Sequence, residues 1–221
     1  MERDRKELKY PSEKTDLGEI MTFEKRTAID FVHVKPSVMK MVGISELTMS
    51  EHFKLYNGYV NKYNECMEKI AGLSNDGVKA GQITYSDIRS LKMGLSFGLG
   101  GMINHEVYFH NLGGSGGKPS GALLSQIEKD FGSYERFEAE FRGTAMAARG
   151  WAFLCYQYDL KRLIIVIGDD QSTFPPQNSK LLLACDVYEH AYYIDHKTAR
   201  AAYLDAFFKN VDWTDVEGRL K

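Results

Sequence analysis

The segment NLGGSGGKPSG, residues 111–121, packs five glycines and a proline into eleven residues and divides two textures of sequence. Glycine and proline at that density end helices and leave few side chains to pack. Before the segment, Met49, Phe53, Tyr56, Val60, Tyr63, Met67 and Ile70 follow one another in alternating steps of four and three. That is the seam of a long helix packed on another helix, with Ser45 or Thr48 placed to cap its start. A break, AGLSNDGVKAGQ at 71–82, separates it from a second seam of Ile88, Leu91, Leu95, Gly98, Met102, His105 and Phe109. Two such helices are expected to form an antiparallel hairpin. After the segment, Ala122–Lys129 and Tyr134–Ala148 read as helices, each with a serine ahead of it. WAFLCYQY (151–158), a turn at Leu160–Arg162 and LIIVI (163–167) then read as a β-hairpin, and LLLACDV (181–187) as a third strand. A helix is expected over Glu189–Asn210. The fold class is therefore α+β: a long α-hairpin (43–112), then a mixed α/β domain (113–221) with a three-stranded antiparallel sheet. Residues 1–42 mix both signs of charge around Pro11 and Pro36 without a period, and read as a loosely attached extension.

The chain has 221 residues, 28 Lys and Arg against 30 Asp and Glu, and 43% hydrophobic residues. A net charge of −2 argues against general nucleic-acid or membrane-surface binding, which needs an excess of Lys and Arg. The longest purely apolar run, LIIVI, is far short of the roughly 20 residues that cross a bilayer. The start, MERDRKELKYPSEK, lacks the apolar stretch of a secretory signal, so a cytoplasmic protein is expected. Cys66, Cys155 and Cys185 are odd in number and widely spaced, and read as small buried apolar residues.

Six histidines differ sharply in context. His33, His110 and His196 have no evident partners. His52 shares one helix side with Tyr56, Tyr59 and Tyr63, and His105 lies on the second seam. In Asp186-Val-Tyr-Glu-His190, a carboxylate closing a strand precedes an imidazole opening a helix. Alone, each feature is ordinary: a core histidine, or acidic residues at a helix start. Together, three imidazoles and a carboxylate from separate elements form a plausible ligand set, and such donors without thiolate suit manganese or iron.

The segment DVYEHAYYIDHKTARAAYLDAFFKNVDW (186–213) closely resembles the carboxy-terminal signature of iron/manganese superoxide dismutases, DVWEHAYY followed by an aromatic helix and NW. GISELTMSEHFKLYNGYVNKYN (43–64), GGMINHEVYFHNLGG (100–114), and FGSYERFEAEF with RGWAFL (131–154) follow in family order. The resemblance implies that His52, His105, Asp186 and His190 hold one iron or manganese ion per subunit. It implies a catalytic role for Tyr59 at the substrate gateway and for Gln171, which hydrogen-bonds metal-bound solvent. Manganese-type members supply that glutamine from this loop, whereas iron-type members place it where this chain has Gly101, so the pair leans toward manganese. Trp151 would line the cavity. Glu189 and Tyr193 match dimer contacts, implying a homodimer or a tetramer.

The resemblance also implies disproportionation of superoxide to dioxygen and hydrogen peroxide in a one-electron ping-pong cycle. The chain departs from the family pattern in several places. The step from His52 to Tyr59 is seven residues where common members have eight, and the usual second histidine is Tyr56. Tyr188 and Phe109 replace other aromatics, and Arg149 stands where many members have serine near the interface. An alternative reading keeps the fold and the metal but makes the protein an interaction subunit with weak or lost activity; Tyr56→His should then raise that activity. A non-haem iron oxygenase is a third reading, disfavoured because three His and one Asp leave few open positions.

Overall fold

The computed structural model describes residues 23–220. Residues 1–22, with Pro11 and the charged start, lie outside the described part.

The described chain opens in an extended arm that reaches the one-turn helix α1 (Phe31–Val34), where the His33 amide donates to the Asp30 carboxylate. A 3₁₀ turn, Pro36–Met39, follows. The arm does not hang loosely, as its composition suggests: Phe31 and Val38 are 1% and 0% exposed. Two apolar anchors in a charged context are too few to produce a period.

Helix α2 (Glu46–Ala71) begins at Ser45, whose Oγ accepts the Thr48 amide at 3.1 Å, so Ser45 rather than Thr48 is the cap. Helix α3 (Asn75–Lys79) fills the break between the seams, and α4 (Asp87–His110) starts on Ser86. Helices α2 and α4 run antiparallel. A side-chain carbon at Gly94 would stand 3.0 Å from Cys66 Sγ, one at Gly98 2.9 Å from the Tyr63 amide, and one at Gly101 2.5 Å from the Tyr59 ring. Rising along α4 thus means descending along α2, and the glycines let the two backbones close on each other.

The glycine-rich segment leads into α5 (Gly121–Phe131) and α6 (Tyr134–Ala147). Strands β1 (Trp151–Gln157), β2 (Arg162–Gly168) and β3 (Ser179–Asp186) form an antiparallel sheet in the order β2-β1-β3. Its register opposes Trp151 to Asp186 across β1 and β3.

The single helix expected over Glu189–Asn210 is broken. A 3₁₀ turn (Glu189–Ala191), α7 (Tyr193–His196) and α8 (Arg200–Lys209) take its place, followed by α9 (Trp213–Leu220). Tertiary bonds override the helical period. The Asp195 carboxylate accepts from the Ser45 amide (2.8 Å) and Thr48 hydroxyl (2.7 Å), and His196 Nε2 donates to the Gly43 carbonyl (2.6 Å). Beyond them Lys197 turns the chain at φ +52. These bonds seat the start of α2 on the segment that follows β3, so both ends of the ligand set are referenced to one junction. No described helix is long and apolar enough to cross a membrane, and all three cysteines are buried and free.

Candidate metal centre

His52 projects from α2, His105 from α4, Asp186 ends β3, and His190 lies in the 3₁₀ turn four residues later. The Nε2 atoms of His52, His105 and His190 stand 3.2, 3.4 and 3.1 Å from the same oxygen, Asp186 Oδ2. The four donor atoms lie within 4.8 Å of one another. His52, His105 and Asp186 are fully buried, and the His190 side chain is 25% exposed.

Each donor is held by a second contact. His105 Nδ1 donates to the Gly101 carbonyl at 2.6 Å, which leaves the Nε2 lone pair facing the cluster. Asp186 Oδ1 accepts the Tyr188 amide (2.9 Å), leaving Oδ2 for the histidines, and the Asp186 carbonyl accepts the Tyr203 hydroxyl (2.7 Å). The ring of Tyr188 stacks on His190 with centroids 5.4 Å apart. Trp151 meets His105 edge to face at 5.1 Å, and Phe109 meets His52 at 5.1 Å.

Burial pushes the His105 imidazole down to about 3 and, against the pull of Asp186, also lowers His52. Burial opposes the Asp186 charge, yet His190 and His52 hold this carboxyl well below the usual range. His190 is raised because Asp186 outweighs its desolvation. The cluster is thus one carboxylate with at least two neutral imidazoles, the state in which these side chains ligate.

A metal ion fits this donor set. An ionised carboxylate oxygen only accepts, and so does the His105 Nε2 lone pair beside it. His105 Nε2 and Gln171 Nε2 are both buried without a hydrogen-bond partner among the described residues, and buried polar atoms of that kind call for a ligand. Three nitrogens and one carboxylate oxygen without thiolate suit iron or manganese.

Around the quartet, the Tyr59 ring lies 5.0 Å from His105. Burial, with Asp186 and Tyr188 adding to it, pushes its phenol up to about 12 although the neighbouring Gln171 amide pulls the other way. Gln171 is 1% exposed, and its Oε1 accepts the Trp151 indole N–H at 3.2 Å. Two adjacent glycines on α4 make this arrangement possible: at Gly100 a side chain would run into the Gln171 backbone, and at Gly101 into the Tyr59 ring.

The structure therefore brings together His52, His105, Asp186 and His190, with Tyr59, Gln171 and Trp151 beside them. Glu189 and Tyr193 have exposed side chains next to the site. The other histidines lie elsewhere: His33 pairs with Asp30, His110 packs on Phe31 and His196 holds Gly43. Sequence reasoning missed Tyr203, and with it Tyr108, whose hydroxyl stands 3.0 Å from that of Tyr203. A tyrosine on the same helix face as Phe207 is the available signal, since a buried hydroxyl must find a partner.

The description "Iron/manganese superoxide dismutases, alpha-hairpin domain" matches residues 42–113, and "Iron/manganese superoxide dismutases, C-terminal domain" matches residues 119–219. The chain belongs to the iron/manganese superoxide dismutase family. It is 41% identical over 192 residues to "Superoxide dismutase [Fe]" of Aquifex pyrophilus, covering 86% of this chain and 89% of that one. It is 36% identical to the protein of the same name from Pyrobaculum aerophilum, covering 80% and 83%. Against "Superoxide dismutase [Mn] 1" of Halobacterium salinarum the identity is 35%, covering 80% and 87%. This chain is thus an oxidoreductase, a superoxide dismutase of the iron or manganese type, with the α-hairpin and α/β domains of its family.

Proposed function

We propose that this superoxide dismutase works with His52, His105, Asp186 and His190 as its metal ligands, Tyr59 and Gln171 as its proton-handling residues, and manganese as its preferred ion. The observation that carries the reading is the convergence of three imidazole Nε2 atoms on Asp186 Oδ2, beside the unpartnered Nε2 of Gln171. Iron or manganese, when bound, supplies a one-electron couple that oxidises one superoxide to dioxygen and reduces the next, with two protons, to hydrogen peroxide. The chain's own residues deliver protons and exclude water. Tyr59, its pKa pushed up to about 12 by burial, keeps its proton at neutral pH and has it to give. Gln171 is held by Trp151 through its carbonyl, so its amide N–H is left to donate inward. Trp151, Tyr188 and Phe109 wall the site and hold the imidazoles in place.

The manganese preference rests on the origin of the glutamine. Gly101 leaves no room for an amide from α4, because Tyr59 fills that space, and Gln171 provides one from the loop after β2. A homodimer through Glu189 and Tyr193 is favoured by their exposure beside His190, and a tetramer is the alternative. Unpaired buried cysteines suit a cytoplasmic setting. We retain 1–42, 43–112 and 113–221 as the functional divisions of the chain.

The test is superoxide consumption by the metal-free protein reloaded separately with manganese and with iron. The account expects robust activity with manganese that exceeds the iron form. Equal or higher activity with iron contradicts the preference, and inactivity with both contradicts the assignment of roles.

A further inference from the structure

We propose that the arm, residues 25–31, is a positioning strap that holds the two ligand-bearing helices in register, acting through Tyr56 and Phe31. The proposal rests on the reading that the His52, His105, Asp186, His190 cluster holds iron or manganese.

The arm runs antiparallel to α2. Lys25 pairs with Glu68 at 3.0 Å, and Asn64 holds both the amide (2.9 Å) and the carbonyl (2.8 Å) of Arg26. The Ile29 amide donates to the Tyr56 hydroxyl at 3.0 Å, and Phe31 stacks on Phe53 at 5.9 Å. Six extended residues span about 20 Å, and the fifteen helical residues from Glu68 back to Phe53 span about 22 Å, so the two tracks match in length. Between its anchors the arm stands off the helix. A groove of about 650 Å³, lined by Arg26, Asp30, Asn57 and Asn61 among others, opens there, so the hold is concentrated at discrete points.

Two of those points lead to the ligands. Tyr56, one turn beyond His52, is fully buried, accepts the Ile29 amide, and donates to Glu106 Oε1 at 2.9 Å. Glu106 is the residue after His105, and Arg26 stands 3.9 Å from the same oxygen. One phenol therefore joins the arm, α2 and α4 at the level of the cluster. Phe31 meets Tyr56 edge-on at 5.9 Å and Phe109 at 5.0 Å, and Phe109 in turn meets His52 at 5.1 Å. The path from arm to ligand is thus one aromatic ring deep. Tyr56 is a positioning residue whose hydroxyl is already engaged inside its own chain.

The experiment measures release of manganese to excess EDTA from the full-length, manganese-loaded protein, together with the melting temperature of each metal-free form. Variants are Tyr56→Phe, Phe31→Ala and Phe31→Leu, with Leu123→Ala in α5, buried at 0% exposure on the other half of the chain, as a stability control. The expected result is release accelerated about tenfold in Phe31→Ala and severalfold in Tyr56→Phe, in the range seen when supports behind metal ligands are removed. Phe31→Leu should largely restore the wild-type rate, and Leu123→Ala should lower the melting temperature without speeding release. Tyr56→Phe keeps the ring, so it carries the test if Phe31→Ala does not fold. Release within twofold of wild type in Tyr56→Phe, and in Phe31→Ala where it folds, overturns the strap, as does equal acceleration by Leu123→Ala. A wild-type chain that takes up neither manganese nor iron overturns the metal-site reading itself, and the proposal with it.

Discussion

Gly101→Ala tests the packing that places Tyr59. A new side-chain carbon at this position would lie 2.5 Å from Tyr59 Cδ1 and 2.6 Å from Cγ. Carbon atoms prefer separations of about 3.5–4.0 Å, so the ring must retreat by about 1 Å. Overpacking of this kind costs about 1–3 kcal/mol, against about 0.5–1 kcal/mol that alanine normally gains over glycine inside a helix. Taking the middle of each range, the net expectation is a loss of about 1 kcal/mol. For a chain of this size that is a fall of about 2–4 °C in melting temperature. The displaced phenol also leaves its place against His105 and beside Gln171, so activity of the loaded enzyme should fall with stability. Gly58→Ala is the matched control: it lies within α2, and a side-chain carbon there meets no atom within 4 Å. It should raise the melting temperature. Thermal melts of both variants, with superoxide-consumption assays, decide the matter. If Gly101→Ala stabilises as Gly58→Ala does and stays fully active, Tyr59 is not where this reasoning puts it.

Three further outcomes are expected. Tyr203→Phe removes the 2.7 Å bond to the Asp186 carbonyl and strands the Tyr108 hydroxyl, both fully buried, and should cost about 1–3 kcal/mol in urea unfolding. Trp151→Phe leaves the Gln171 carbonyl without its 3.2 Å donor, so the amide loses its fixed direction and activity should fall while the fold survives, as judged by circular dichroism. At alkaline pH, Tyr59 in the folded chain stays protonated up to about 12, while an unfolded tyrosine loses its proton near 10. The unfolded state then binds fewer protons than the folded one, so stability should decline as pH rises from about 10 to 12, and Tyr59→Phe should flatten that decline in melts taken across the range.

The hairpin was legible because its seams alternate steps of four and three without interruption, and because Ser45 stands where it caps the first of its helices. The four ligand residues were legible as candidates for a different reason: imidazoles on apolar helix faces and a carboxylate at a strand end stand out from their surroundings. Their convergence on one oxygen was not, since it depends on the Trp151–Asp186 register and on how α2 sits against the segment after β3. The broken helix after His190 escaped for the same reason. Nothing local marks Lys197 as a turn, and the bonds that open the helix come from Gly43, Ser45 and Thr48, some 150 residues away. The buried arm was hidden by its charges. Lys25 and Arg26 engage Glu68 and Glu106 at its surface while only Phe31 and Val38 enter the core as fully buried side chains.

The central claim is that His52, His105, Asp186 and His190 hold one iron or manganese ion. Its most direct test is the metal content of purified protein by elemental analysis, for the wild type beside His105→Ala and Asp186→Asn. The account predicts about one ion per chain in the wild type and almost none in either variant, with all three folded. Wild-type metal content retained in His105→Ala and Asp186→Asn would contradict it.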